Sequence, residues 1–197
     1  KQFYGIKVGK SALYKWLMKY GKIINAYVDQ LEPDLSEVWH SDEMKVKCGG
    51  KWLWLWNVMD KNTRYLLATH ISENREASDA RMAFIKAKKM AKEKPDVVVT
   101  DGLHSYIEAF KKEFFTLRNP RTKHIAKAGI RGRTNNNIVE RLHGTIRERD
   151  KVMRGLKTEH SAKAMMEGYR AYYNFIRPHQ ALNGKTPSEQ AGIDLEL

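Results

Sequence analysis

Three acidic residues sit in three different local settings of the chain: Asp42, Asp101 and Glu140. Asp42 ends the strand-like run Glu37-Val38-Trp39-His40-Ser41-Asp42, and Asp101 directly follows the apolar run Val97-Val98-Val99-Thr100. Glu140 falls in the first turn of a basic helix that opens after Asn135-Asn136-Asn137. Phosphodiester cleavage or transfer must deprotonate a nucleophilic oxygen and stabilise a leaving one, and two divalent ions about 3.5–4 Å apart do both. Magnesium prefers carboxylate oxygens and keeps several of its waters, so two aspartates and a glutamate suffice as protein ligands. Without cations, three crowded carboxylates would repel one another and take up protons.

The charge around these acids has the opposite sign. The 197-residue chain carries a net charge of +13, and residues 111–157 hold 14 Lys/Arg against four acids. An acidic group inside a basic surface points to a metal site facing a polyanion, with nucleic acid as the expected partner. Taken singly, Glu140 reads equally well as an acid serving the positive end of a helix dipole. The concentration of basic residues beside it favours the site.

Other classes recede on composition. Cys48 is the only cysteine, so no disulfide framework exists and a reducing compartment is expected, the cytoplasm with association to the nucleoid. The seven histidines include none at zinc-finger spacing with a second cysteine. No apolar stretch approaches the roughly 20 residues of a membrane span, so no membrane partner is expected. The first residue is Lys, which leads to the expectation that a segment precedes it.

The elements that must position the acids are legible as periodicities. Residues 1–35 read as a helical appendage and linker, with Ser11 as N-cap, a helix over Ala12–Tyr20, and Gly21 as its stop. Lys10 and Lys15 on that helix are candidate DNA contacts of a partial helix-turn-helix, and a docking helix with its lysines left in solvent is an equal reading of the stretch. Residues 36–197 read as one domain. A first strand runs to about Lys47, and Cys48-Gly49-Gly50-Lys51 makes a turn. Trp52–Met59 and Arg64–Ile71 continue an antiparallel meander, and the tryptophan ladder Trp52, Trp54, Trp56 reads as core because leucines fill the alternate positions. A helix over 76–92, the strand Val97–Thr100, a helix near 103–112, a short strand near His124-Ile125 and a further helix follow. The order β-β-β-α-β-α-(β)-α predicts an α/β domain, a mixed sheet flanked by helices.

On an ideal helix over 138–156, Ile138, Leu142, Ile146, Met153 and Leu156 fall within an arc of about 80°, a buried stripe. Glu140, Arg147 and Arg154, each seven apart, line up on the opposite side with His143 nearby. The candidate DNA contacts of this region are Arg131, Arg133, Arg141, His143, Arg147, Lys151 and Arg154. Near the C-terminus, Thr186-Pro187-Ser188-Glu189 spells an N-cap, a proline at the first helical position and a capping-box glutamate. Arg177, His179 and Gln180 read either as DNA contacts or as braces of the core, and bracing is the expected role.

Four segments in order carry a family resemblance: Trp39-His40-Ser41-Asp42-Glu43, Val99-Thr100-Asp101-Gly102, Asn136-Asn137-Ile138-Val139-Glu140-Arg141-Leu142-His143, and Tyr173-Asn174-Phe175-Ile176-Arg177-Pro178-His179-Gln180-Ala181-Leu182-Asn183-Gly184-Lys185-Thr186-Pro187. Across nearly its whole length the chain resembles the DDE transposases of bacterial and archaeal insertion sequences, the branch with a retroviral-integrase-like core. The resemblance implies a ribonuclease H-like, five-stranded mixed sheet, with Asp42, Asp101 and Glu140 as catalytic and metal-binding triad and Arg147 at the basic position seven residues after the glutamate. It implies two Mg2+ or Mn2+ ions and metal-dependent cleavage and strand transfer at terminal inverted repeats. It also implies target DNA as a second partner and action as a homodimer or larger homo-oligomer. The 38 residues between Asp101 and Glu140 are more than is usual there, which fits an enlarged basic loop around 129–133.

Two other readings compete. One is a non-catalytic DNA-binding protein derived from such an enzyme. The other is a tyrosine recombinase built on Tyr172 or Tyr173 with Arg170, Arg177 and His179.

Overall fold

The computed structural model describes residues 2–3, 5–126, 136–153 and 156–193. Arg131, Arg133 and Arg154 of the candidate DNA contacts, and the loop around 129–133, lie outside them. A two-stranded hairpin, β1 (Gln2–Phe3) and β2 (Ile6–Lys7), precedes helix α1 (Lys10–Val28). The main sheet comprises β3 (Val38–Cys48), β4 (Lys51–Asp60), β5 (Leu66–Ser72), β6 (Val97–Thr100) and β7 (Lys123–Ala126), in the order β5-β4-β3-β6-β7. β3, β4 and β5 form the antiparallel meander, and β6 and β7 join it in parallel. The helices are α2 (Ala77–Ala91), α3 (His104–Phe114), α4 (Asn137–Met153), α5 (Glu159–Phe175) and α6 (Pro187–Gln190). The predicted five-stranded mixed sheet flanked by helices is therefore the fold. Among the described residues no helix is long and apolar enough to cross a membrane.

Alternation along β3 divides the interior into two layers. Trp39 faces a core with Trp56, Phe84, Tyr106 and Phe114, packed beneath α2 and α3. Met44 and Val46 face a second core with Leu55, Val139, Leu142 and Ile146, beneath α4 and α5. Aromatic edges meet faces in the first layer, with Trp56 and Tyr106 centroids 5.4 Å apart at 79°. The tryptophan ladder is core at Trp56, partly buried at Trp54 and exposed at Trp52, because the hairpin end projects beyond the covering helices.

Three boundaries differ from those expected. α1 does not stop at Gly21 but runs to Val28, and Gly9 rather than Ser11 stands at its N-cap. Helix propensity costs only about 1 kcal/mol at a glycine, and tertiary docking outweighs it: buried Arg170 of α5 bonds Asn25 Oδ1 at 3.2 Å and Asp29 Oδ1 at 2.5 Å. α4 ends by Met153, so Leu156 leaves the helical stripe; it stays buried by forming a bridge with Cys48. The hairpin turn fits against that bridge. Gly49 donates to Leu156 O at 2.8 Å, and its φ of +56° with Lys157 O 2.7 Å from any added Cβ restricts the position to glycine. The α6 prediction holds, with Thr186 accepting from Glu189 N and the glutamate returning to Thr186 N.

Candidate active site

Asp42 lies in the middle of the central strand rather than at its end, paired across to Asn57 of β4. On the other side β3 runs parallel to β6 with His40 opposite Val99, so two residues further the same register brings Asp42 beside Asp101. Asp101 leaves the end of β6 and caps the turn into α3, its Oδ1 accepting from Leu103 N at 2.9 Å. Carboxylate oxygens of Asp42, Glu43 and Asp101 lie within 4.8 Å of one another, the cluster of metal-ligand type found among the described residues. The carboxyl end of a parallel strand, here β6, is where an α/β sheet opens to a substrate.

Glu140 comes to the same place by a different route. Asn136, the residue before α4, donates its amide to Ser41 O at 3.1 Å and contacts His40 Nδ1 at 3.0 Å through Oδ1. Both partners immediately precede Asp42 on its own strand. One turn into the helix, Glu140 N bonds back to Asn136 O at 3.2 Å, and the Glu140 carboxylate is exposed and within electrostatic reach of Asp42. It is not one of the three oxygens in the 4.8 Å group. Asp42 and Asp101 are thus brought into contact range, with Glu140 held beside them.

Glu43 was not singled out by sequence reasoning, although it stands next to Asp42 in the quoted motif. Strand alternation places it on the opposite face, where it is buried and its Oε1 accepts from Arg75 Nε at 2.7 Å. The Arg75 guanidinium lies 4.6 Å over the Trp54 ring. Burial pushes the Glu43 carboxyl up, and Arg75 pulls it back. No local signal predicted that pair, which spans 32 positions.

Burial, followed by the charges of Glu43 and Asp101, pushes the Asp42 carboxyl up to about 7, against the Glu43 N–H that bonds Oδ1 at 3.0 Å. His143 is the correction among the candidate DNA contacts. It is 4 % exposed, its Nδ1 is 3.7 Å from Asp42 Oδ2 and its Nε2 is 3.1 Å from Asn57 Nδ2. The helix face that carries Glu140 turns inward one turn later, because α4 crosses the sheet. Burial, and then Arg147, holds the imidazole down at about 4. With Nε2 accepting from the amide, neutral His143 carries its proton on Nδ1, toward Asp42.

The remaining candidates are where a solvent face requires them: Arg141, Arg147 and Lys151 are exposed on α4, and Lys10 and Lys15 on α1. Tyr173 is 4 % exposed, and burial pushes its phenol well up. Tyr172 bonds Arg149 at 3.0 Å, and Arg170 is buried between Asp29 and Glu167. Neither tyrosine is built as a nucleophile.

A family described as a DDE domain, of the IS240 type of transposase, matches residues 36–179. The chain belongs to that family. Two transposases of Staphylococcus aureus, for the insertion sequence-like element IS431mec and for IS257 in transposon Tn4003, are each 25 % identical over 191 residues. Each match covers 97 % of this chain and 82 % of the relative. Among solved structures, the HTLV-2 integrase catalytic core in complex with magnesium superposes with a TM-score of 0.55 at 16 % identity, covering 82 % of this chain and 97 % of that one. The BIV integrase core gives 0.54 at 15 %, covering 79 % and 93 %. The integrase of the simian T-cell lymphotropic virus intasome gives 0.58 at 12 %, covering 85 % of this chain but only 58 % of its own. The fold is that of integrase cores, and the chain is a DDE transposase, an enzyme of the polynucleotidyl-transferase class.

Proposed function

We propose that Asp42, Asp101 and Glu140 hold divalent metal, as two Mg2+ or Mn2+ ions, and that the site cleaves DNA strands at the terminal inverted repeats of an insertion sequence and joins them to target DNA. The observation that carries this reading is the convergence of the Asp42 and Asp101 carboxylates to within 4.8 Å, where β6 ends beside the middle of the parallel strand β3. Such a pair is unfavourable by itself and becomes favourable around a cation. When bound there, divalent ions supply Lewis-acid stabilisation to the attacking and leaving oxygens of the phosphodiester.

The protein's own residues do the rest. His143, held by Asn57 at 3.1 Å, packs behind the Asp42 carboxylate with Nδ1 3.7 Å from Oδ2, the position of a residue that backs a ligand. Asn136 ties Glu140's helix to the same strand. Arg147, Arg141 and Lys151 face solvent around the acids and attract the strand backbone, and Arg131, Arg133 and Arg154 of the same basic sequence segment are further proposed DNA contacts. Residues 36–197 act as the catalytic domain, and residues 1–35, through Lys10 and Lys15, contribute to reading the element's ends. Exposed Tyr14, Trp16, Tyr20, Ile23, Ile24 and Tyr27 on α1 support assembly into a homodimer or larger oligomer, and the HTLV-2 integrase core occurs in dimeric and trimeric forms. The site of action is the nucleoid in the cytoplasm.

The test is a magnesium-dependent cleavage and joining assay on DNA carrying the element's ends, with a chelator control. Asp42→Asn, Asp101→Asn and Glu140→Gln should each abolish joining while DNA binding persists. Normal joining by any one of the three would remove that residue from the site.

A further inference from the structure

A cavity opens along α4, the helix that carries Glu140. It measures about 390 Å³, and Arg64, Arg141, Arg177, His179 and Gln180 supply its polar lining together with Asn137, Thr145 and Tyr173. No Asp or Glu lines it among the described residues. None of the three arginines forms an ion pair with a carboxylate there either.

The three guanidiniums come from distant parts of the chain. Arg64 sits in the β4–β5 turn with a left-handed φ of 61°. The nearest acid, Asp60, is fully engaged: Oδ1 takes Ser36 N and Oγ at 2.9 and 2.7 Å, and Oδ2 takes Asn62 N, Thr63 N and Thr63 Oγ1 at 3.1, 2.8 and 2.7 Å. Arg64 Nη1 is buried without a hydrogen-bond partner, and so is His179 Nε2. Bracing does not require these charges. The tail is already held by Arg177 N to Tyr172 O and His179 N to Lys185 O, both at 3.0 Å, and by the His179 ring against Tyr173 at 4.6 Å. Gathering three cations without an ion-pair partner among the described residues around one space costs free energy through mutual repulsion and desolvation, and an anion in that space offsets the cost. Guanidinium forks match the oxygens of a phosphate group.

We propose that this cavity is a phosphate subsite, and that its ligand is a backbone phosphodiester of the DNA strand lying across the acidic site. The assignment to DNA rests on the function proposed above. Glu140 beside the acidic cluster and Arg141 of the cavity are consecutive on α4, which puts both within reach of one strand. It takes up the alternative in which Arg177, His179 and Gln180 contact DNA, over the expected bracing of the core.

The experiment measures fluorescence anisotropy of a labelled DNA end bound to the full chain in chelator, from 50 to 300 mM salt. Arg64→Gln, Arg177→Gln and Arg141→Gln are compared with the unaltered protein; Arg141 is exposed on a helix surface, so its variant reports even if another fails to fold. Each variant should bind several-fold more weakly and lower the slope of log K against log salt by about one. The Arg64→Gln/Arg177→Gln double variant should fall little further, because both contact one phosphate. Methylphosphonate linkages scanned along the strand should weaken the unaltered protein at one position and the double variant at none.

Unchanged slopes in folded variants, with cleavage still lost in Asp42→Asn, would overturn the subsite and leave the enzyme reading standing. An unaltered protein that neither binds nor cuts DNA would overturn both. A thermal shift with inorganic phosphate that the variants lose, alongside unchanged DNA slopes, would assign the cavity to free phosphate and overturn the DNA ligand.

Discussion

Asn136 donates its side-chain amide to the backbone carbonyl of Ser41 at 3.1 Å, one residue before Asp42. The bond spans 95 positions and is buried, so it fixes where the first turn of α4, and with it Glu140, meets the central strand. A ligand set drawn from separate elements depends on such ties, since small misplacements of a reacting group are costly.

Asn136→Ala should therefore lower stability by about 1–3 kcal/mol, since it leaves Ser41 O and His40 Nδ1 buried without their partner. It should also depress DNA joining by at least tenfold, while Asp42 and Asp101 stay in place. Chemical denaturation and the joining assay give the two numbers, and full activity in a destabilised variant would show that Glu140 needs no such tie.

Glu43 belongs to the acidic cluster by distance, but its charge is answered by Arg75 on the other face of the sheet. Arg75→Ala should cost more stability than Glu43→Gln, because it strands a buried carboxylate whereas the amide does not. Metal affinity should change less than threefold in Glu43→Gln. A calorimetric loss of metal binding in that variant would make Glu43 a ligand.

The metal-free protein should lose stability as pH rises toward 7. With Asp42 at about 7 in the fold and near 3.8 ordinarily, the folded protein between those values holds a proton that the unfolded chain has released, so stability falls with rising pH. His143, at about 4 against 6.5, acts in the opposite sense, since the unfolded chain binds the proton there and stability rises with pH. The two oppose each other up to about pH 6.5, and only the Asp42 decline, at most roughly 1.4 kcal/mol per unit, remains above it. Asp42→Asn should abolish that decline in chelator, as read by thermal melts at pH 6.5 and 7.5.

Metal uptake should likewise release close to one proton at pH 6 and close to none at pH 8, because a ligand must shed its proton to bind. Calorimetry in two buffers of different ionisation enthalpy reads the count. Equal release at both values would mean that Asp42 is already ionised without metal.

Arg170→Met should loosen α1 while the sheet stays folded. The guanidinium bridges Asp29 and Asn25 of that segment to Glu167 of α5, and its removal takes that anchor from Asp29 and Asn25. Hydrogen exchange across residues 10–28 should accelerate by at least tenfold, and unchanged protection would assign the docking to apolar contacts such as Leu17 against Gly168.

What the sequence by itself determined was local and periodic. The two-residue alternation of 38–48 and 51–60, the Gly49-Gly50 turn, the buried Leu142–Ile146 stripe and the Thr186–Glu189 capping box are each written within a few neighbouring positions. Asp42 and Asp101 were legible for the same reason, as acids at marked places on two strands, and the parallel pairing then brought them together. The tertiary structure decided everything that depends on partners tens of positions apart. It buried His143 against Asp42, gave Glu43 to Arg75, carried α1 through Gly21 and gathered Arg64, Arg141 and Arg177 around one cavity. Helix and strand periods say which face a side chain occupies, but burial, charge compensation and proton affinity follow from what packs on that face, and packing is set by the whole chain at once.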